Sequence, residues 1–126
     1  MSVHFSTLEQ ACPCCQAISL APGFLQAMDD LREAWGKPLR VNSMCRCQKH
    51  NSAVGGKVGS YHLITHTWGC CAADISTNGW TGADKWAFIE LAMQRGFSIG
   101  FNKTFLHVDR RHVHDKGWPK PVFFNY

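Results

Sequence analysis

The sequence has no long hydrophobic segment, no internal repeat and no low-complexity region. None of its apolar runs approaches the roughly 18 residues that a membrane-spanning helix needs, so we expect no membrane span. The first residues, Met1 to Ser6, also lack the basic start and the apolar stretch of a secretory signal. We therefore expect a chain that is made in the cytoplasm without a signal peptide.

The chain is also short and carries few charges, with 126 residues of which 17% are charged and 45% are hydrophobic. This length and this apolar fraction are typical of one folded domain, which we place at residues 1–126. The formal net charge of +4 is too small to distinguish between anionic partners such as a nucleic acid and a cell wall polymer.

Cysteine, in contrast, is abundant. Seven cysteines fall into three groups, at positions 12, 14 and 15, at 45 and 47, and at 70 and 71. A closed set of disulfides would leave one over, and a reducing compartment favours free thiols or a bound metal. Three interpretations stay open: disulfides, free thiols, or a second, structural zinc ion held by the first two groups. For the third group, burial as small apolar side chains is the favoured interpretation.

Hydrophobic periodicity predicts two main helices, at 22–35 and 83–95. Alternation predicts a strand at 39–43, a short strand at 72–76, and a hairpin with strands at 97–101 and 104–109. Residues 45–69 are predicted to form a long loop, and 116–126 to pack over the sheet as irregular structure. In the second helix we expect the whole apolar set to lie in the core: Trp86, Phe88, Ile89, Ala92 and Met93.

Three short segments contain the side chains that are best suited to chemistry: Ser60-Tyr61-His62-Leu63, Ala72-Ala73-Asp74-Ile75 and Leu106-His107-Val108-Asp109. Two imidazoles and one carboxylate suit zinc, and three protein ligands leave the fourth position for water. Zinc lowers the pKa of such a water to about 7 and polarises a carbonyl group. Asp109 shares a strand face with His107, and we predict that it transfers the proton.

Several linked motifs resemble the zinc D-Ala-D-Ala carboxypeptidase family: Phe5-Ser6, Cys12-Pro13-Cys14-Cys15, Pro38 to Ser43 with Arg46, Asn51 to Gly56, the three segments above, and Gly96-Phe97 with Gly100. That family contains VanY-type carboxypeptidases and phage endolysins, and it shares its metal site with lysostaphin-type enzymes and the hedgehog signalling domain. The resemblance implies an α+β fold with a small central antiparallel sheet, two main helices and long loops. It also implies zinc (Zn²⁺) held by His62, Asp74 and His107, and a substrate carboxylate bound by Arg46, whose guanidinium fork suits that group.

The spacing leaves two ligand positions open. His62 and Asp74 are 12 positions apart, which is longer than in the family's pattern Ser-x-His-Leu-x-Gly-x-Ala-x-Asp, and the surplus contains His66. We favour His62 because its flanking residues fit the pattern. His112, which ends an Asp-x-x-His run, is the alternative to His107, but strand alternation places it on the opposite face from Asp109.

The function that the resemblance implies is a zinc metallopeptidase that hydrolyses an amide bond in the peptide stem of bacterial peptidoglycan. We expect a monomeric phage lysis enzyme, an endolysin, that acts on the cell wall or as a virion component and has no nucleic acid partner. Ser60 is expected at the substrate or as a group that orients His62. The alternative is a non-catalytic zinc-containing module of the same fold that binds the wall or a protein.

Overall fold

A five-stranded sheet lies at the centre of the computed structural model, which describes residues 2–126. Its strands, in chain order, are β1 (Val41–Ser43), β2 (Ala72–Ser76), β3 (Ser98–Phe101), β4 (Phe105–Asp109) and β5 (Phe123–Asn125). The spatial order is β1-β2-β4-β3-β5. All neighbouring pairs are antiparallel except β3 and β5, which are parallel. This mostly antiparallel sheet, with its helices, confirms the predicted α+β fold.

In the described part of the chain, five helices accompany the sheet: α1 (Thr7–Gln10), α2 (Phe24–Trp35), α3 (Gln48–Ala53), α4 (Gly82–Gln94) and α5 (Arg111–His114). The two long ones confirm the two predicted helices. Gly36 ends α2 with a left-handed backbone, φ +75°, a conformation that glycine adopts without steric cost. Thr81 and Asp84 form a capping box that fixes the start of α4. Among residues 2–126, every helix is too short or too polar to cross a lipid bilayer.

The hydrophobic core lies between the sheet and the two long helices. Helix α4 contributes Phe88 and Ala92, both fully buried. The prediction that its whole apolar set is buried is wrong, because Trp86 is 67% exposed and Ile89 and Met93 are only partly buried. Phe88 lies on the face of α4 that packs against the core, so Trp86, Ile89 and Met93 lie at the border of the core.

Four short elements were absent from the sequence-based expectation. Helix α1 lies in a segment for which no helix was predicted. Helix α3 lies inside the predicted loop 45–69, and β5 lies inside the tail that was expected to be irregular. Neither element has an apolar period. Helix α3 is started by the Cys47 cap, and β5 forms by pairing with the distant strand β3. Helix α5 is a single turn directly after β4.

Candidate metal centre

The register of the sheet brings two of the candidate ligands together. In the pairing of β2 with β4, Asp74 lies directly opposite His107 and Ala72 lies opposite Asp109. Directly opposite residues of an antiparallel pair project from the same face. The side chains of Asp74 and His107 therefore meet, and His107 Nδ1 lies 3.0 Å from Asp74 Oδ1.

His62 approaches the same oxygen from the loop between α3 and β2. This loop is attached to Arg46 by two backbone hydrogen bonds, from Arg46 N–H to the His62 carbonyl (2.9 Å) and from Ile64 N–H to the Arg46 carbonyl (3.0 Å). The His62 ring donates its Nδ1–H to the Met44 carbonyl at 2.7 Å. Because a carbonyl only accepts, the hydrogen is on Nδ1, and Nε2 faces Asp74 Oδ1 at 3.1 Å.

The atoms of His62 and Asp74 that face each other favour a bound cation. His62 is fully buried, and burial lowers the pKa of its imidazole, so the ring is neutral. Its Nε2 lone pair and the Asp74 carboxylate are then two acceptors facing each other. Burial would raise the pKa of Asp74, yet the neighbouring imidazoles hold it well below its ordinary value. An ion between these atoms would satisfy both acceptors.

The donor set fits a metal ion of the zinc type. One ligand atom each from His62, Asp74 and His107 lies within 4.8 Å of the other two, and all three residues are buried. Imidazole nitrogen and carboxylate oxygen are ligands that zinc accepts at about 2.0–2.2 Å, and three of them leave a coordination position free. These three residues could hold the metal ion that the sequence predicts.

Asp109 lies on the far side of the His107 ring. Its Oδ2 accepts a hydrogen bond from His107 Nε2 at 2.7 Å. Burial opposes the charged ring, but the hydrogen bonds to Asp109 and Asp74 outweigh it and raise the pKa of His107. The resulting chain of carboxylate, imidazole and ligand site is the arrangement that fixes the orientation of a metal-binding histidine.

Arg111 donates hydrogen bonds to both oxygens of the Asp109 carboxylate. Its Nη2 donates to Oδ2 at 2.7 Å, its Nε lies 3.0 Å from Oδ1, and its backbone N–H donates to Oδ1 at 2.9 Å. Asp109 is 0% exposed. Burial would raise the pKa of this carboxyl, yet its hydrogen bonds to His107 and Arg111 hold it below its ordinary value. This geometry favours a positioning role for Asp109, while the proton transfer expected from the sequence stays a prediction.

Arg46 is bound to the second oxygen of Asp74. Its Nη2 donates to Asp74 Oδ2 at 2.8 Å, its Nε donates to Ser43 Oγ at 3.0 Å, and its Nη1 donates to Asn51 Oδ1 at 3.4 Å. The guanidinium thus fixes the carboxylate so that Oδ1 alone faces the two imidazoles. Within the protein, Arg46 therefore holds a metal-ligand candidate, in addition to the substrate role predicted for it.

Aromatic rings from the end of the chain cover His107. The Tyr126 ring stacks on it with a centroid distance of 4.6 Å, and the Phe124 ring lies at 5.9 Å. Gly100, the β3 partner of His107, makes this approach possible, because a Cβ there would lie 2.8 Å from both Phe124 and Tyr126. Phe124 also belongs to a second cluster, in which the Arg111 guanidinium lies 4.6 Å from the ring centroids of both Phe124 and Tyr61.

Two cavities border the site. One of about 430 Å³ is lined by His107, Ser60, Tyr61 and Arg111 among others. The other, of about 260 Å³, is lined by residues that include Asp74 and Arg46. Tyr126 lines both cavities. A substrate could therefore approach the metal-ligand candidates from two sides of one aromatic ring.

The remaining candidates lie outside the cluster. His66 bonds the Ser60 carbonyl through Nε2 at 2.9 Å and stacks on Trp68. The His112 ring lies near Gly96. Ser60 is buried, and its Oγ accepts the backbone N–H of His62 at 3.2 Å. The structure thus brings His62, rather than His66, and His107, rather than His112, to Asp74.

Sequence reasoning missed three participants, which are Met44, Arg111 and Tyr126. The Met44 group is a backbone carbonyl, which no residue type marks. Arg111 stands two positions after Asp109, and this spacing was a usable signal. Tyr126 reaches His107 only through the pairing of β5 with β3, which no local pattern indicates.

The fold brings together three buried side chains that could hold a metal ion, and comparison with known families agrees with such a centre. A family model described as Peptidase M15 matches residues 1–109, so the chain belongs to the peptidase M15 family, whose members are metal-dependent. The match confirms the resemblance to the zinc D-Ala-D-Ala carboxypeptidases. It includes all three site segments and ends at Asp109. No curated protein and no solved structure matches the chain.

Proposed function

We propose that this chain is a zinc-dependent peptidase that hydrolyses an amide bond in the peptide stem of bacterial peptidoglycan. The observation that carries the proposal is the convergence of His62 Nε2, Asp74 Oδ1 and His107 Nδ1 on one point. Each of these side chains has its other polar atom hydrogen-bonded elsewhere, to Met44, Arg46 and Asp109 respectively. Ligand atoms that are fixed in this way are prepared for a single ion.

These contacts suggest a separate role for each residue of the site. Zinc bound here would supply a Lewis acid for the scissile carbonyl and lower the pKa of a bound water. His62, Asp74 and His107 are the proposed ligands, and Ser60 and Met44 orient His62 through its backbone N–H and its Nδ1–H. The Asp109 carboxylate keeps the His107 ring turned toward Asp74.

Arg46 is the proposed binding group for a substrate carboxylate. A guanidinium has five N–H groups, and the bonds to Ser43, Asn51 and Asp74 use three of them. Arg46 also lines the 260 Å³ cavity. A carboxylate of a stem peptide in that cavity would meet the remaining donors, at the edge of the metal site.

The wider role follows from the family resemblance. We propose a single peptidase domain over residues 1–126 that works as a monomeric phage endolysin on the host cell wall or as a virion component. The support for this role is the phage endolysins of the family that the chain resembles.

Digestion of purified peptidoglycan tests the activity. We expect the zinc-loaded chain to release stem fragments whose masses identify the cleaved bond, and a chelator or His62→Ala to abolish release. His66→Ala is the matched control and is expected to keep the activity, since His66 lies outside the cluster. Fragment release that survives complete metal removal would contradict the proposed mechanism.

One observation favours a second function, the non-catalytic zinc module. Among the described residues, Asp74 has the only carboxylate side chain that lines either cavity, and Asp109 is fully buried against Arg111. The site therefore lacks a free carboxylate in its cavities to accept a proton. If this function is correct, zinc-loaded protein will sediment with insoluble peptidoglycan and release no fragments. Fragment release at catalytic rates would exclude it.

A further inference from the structure

A group of thiols lies apart from the His-Asp-His site. Sγ atoms of Cys12, Cys15 and Cys47 all lie within 4.8 Å of one another. The first two belong to the turn after α1, whereas Cys47 caps the start of α3, 35 positions after Cys12. The fold therefore assembles this cluster from two segments that are remote in the chain.

The turn that carries the first two thiols is closed by its own backbone. Gln16 N–H donates to the Cys12 carbonyl at 2.7 Å, and Cys12 N–H donates to the Ala17 carbonyl at 3.0 Å. Gln16 has φ +64°, and among the described residues it is the only non-glycine residue with a positive φ. This conformation costs a non-glycine residue about 1–2 kcal/mol. It curls the chain immediately after Cys15, and both thiols of the Cys-x-x-Cys pair meet Cys47.

Backbone donors point at the sulfur atoms. Cys47 N–H donates to Cys12 Sγ at 3.3 Å, and His50 N–H donates to Cys47 Sγ at 3.4 Å. Donors of this kind stabilise the negative charge of a thiolate, and the thiolate is the form that binds metals. Cys14 is a free, exposed cysteine of the same turn, and it supplies a fourth thiol at the edge of the cluster.

We propose that Cys12, Cys15 and Cys47, with Cys14 as the fourth ligand, bind a structural zinc ion. Zinc–sulfur bonds of about 2.3 Å in a tetrahedron separate the sulfur atoms by about 3.8 Å, which the Sγ positions of Cys12, Cys15 and Cys47 accommodate. Cys14 Sγ lies outside this group of three, and its exposed side chain would complete the tetrahedron by rotating toward the ion. The Cys-x-x-Cys spacing is the usual local half of such a site. Each thiol releases its proton to solvent as the metal binds, so the step needs no oxidant or reductant.

This second zinc goes beyond the proposed peptidase activity and has a separate role. It would join the N-terminal turn to Cys47, the residue directly after Arg46. Arg46 in turn holds the Asp74 carboxylate. The thiolate site would thus fix the backbone from which the catalytic site is supported, without contacting substrate.

Metal counting distinguishes the two sites. In protein purified under reducing conditions, we expect two zinc ions per chain in the wild type, one in the double variant His62→Ala/Asp74→Asn, and one in Cys12→Ser/Cys47→Ser. Cys45→Ala, which changes a buried cysteine outside the cluster, is the matched control and should keep two. One zinc in the wild type that disappears with the His62/Asp74 variant would overturn the second site and leave the first intact.

Cobalt substitution tests the ligand type without requiring the cysteine double variant to fold. In the His62→Ala/Asp74→Asn background, we expect bound Co²⁺ to show intense thiolate-to-cobalt charge transfer in the near ultraviolet. Zinc should raise Tm by roughly 5–10 °C, and Cys14→Ser should weaken binding at least tenfold. Absence of the charge-transfer band, or a disulfide among these cysteines in freshly reduced protein, would overturn the proposal. A zinc affinity in Cys14→Ser equal to that of the unsubstituted site would show that Cys14 is not the fourth ligand.

Discussion

Replacing Asp109 by asparagine separates the two roles that this residue can have. Asparagine keeps the size of the side chain but removes the charge that faces His107 Nε2 and the Arg111 guanidinium, each at 2.7 Å. Because the carboxylate is 0% exposed, Arg111 is left without its buried partner, which costs about 3–5 kcal/mol of folding free energy. The structure also predicts a loss of zinc affinity of about 10–100-fold, since His107 loses the carboxylate that orients it.

Zinc affinity is measured by competition with a chromophoric chelator, and stability by urea denaturation of metal-free protein. Both measurements are made on the wild type, on Asp109→Asn and on Asp30→Asn. Asp30 is exposed on α2, and of the residues that the structure describes only Gln26 donates a hydrogen bond to its side chain, so its variant is expected to match the wild type in both measurements.

The refuting result is equally specific. If Asp109→Asn binds zinc as tightly as the wild type but loses hydrolysis by roughly 10²–10⁴-fold, the residue acts in proton transfer. The positioning role would then be wrong, and the sequence-based prediction for Asp109 would be correct.

Three further predictions concern the same centre. The carboxylate partners of His107 raise the pKa of its imidazole, so zinc affinity measured by chelator competition should fall as the pH decreases. The metal-free protein should lose folding stability as the pH rises above 6.5, the ordinary histidine pKa. Zinc affinity that is constant from pH 5 to 8 would contradict this. Gly100→Ala should lower the free energy of unfolding, measured by urea denaturation, by about 1–3 kcal/mol, because its Cβ would lie 2.8 Å from aromatic rings. In the control Gly82→Ala the added Cβ has no neighbour within 4 Å, so this variant should keep the wild-type stability. Arg46→Lys should lower zinc affinity, because lysine cannot reproduce the bonds that fix Asp74, and an unchanged affinity would show that the contact to Asp74 is dispensable.

The sequence predicted the elements whose side chains alternate or recur with a clear period. Strands β2 and β4 were recognised from local pattern alone, and their pairing is what places Asp74 opposite His107. The short helices escaped prediction because four to six residues are too few to show an apolar period, and β5 escaped prediction because it forms by pairing with a distant strand. Strand β5 is the clearest case, since its three residues, Phe123–Asn125, begin with two adjacent phenylalanines rather than an apolar–polar alternation and pair with β3 across more than 20 positions.

The ambiguity between His62 and His66 illustrates the limit for the site. Both histidines lie in one glycine-rich loop, and spacing along a loop does not determine which side chain turns inward. The structure distinguishes them through backbone hydrogen bonds to Arg46 and the Met44 carbonyl. Main-chain partners of this kind leave no trace in residue type, so a sequence can propose such a ligand set but cannot choose within it.

The most direct test of the central claim is an anomalous difference map of zinc-loaded crystals, recorded at the zinc absorption edge. We expect a peak about 2.0–2.2 Å from each of His62 Nε2, Asp74 Oδ1 and His107 Nδ1. Density that lies on His66 or His112 instead, or no peak between these three atoms in crystals that hold zinc elsewhere, would contradict it.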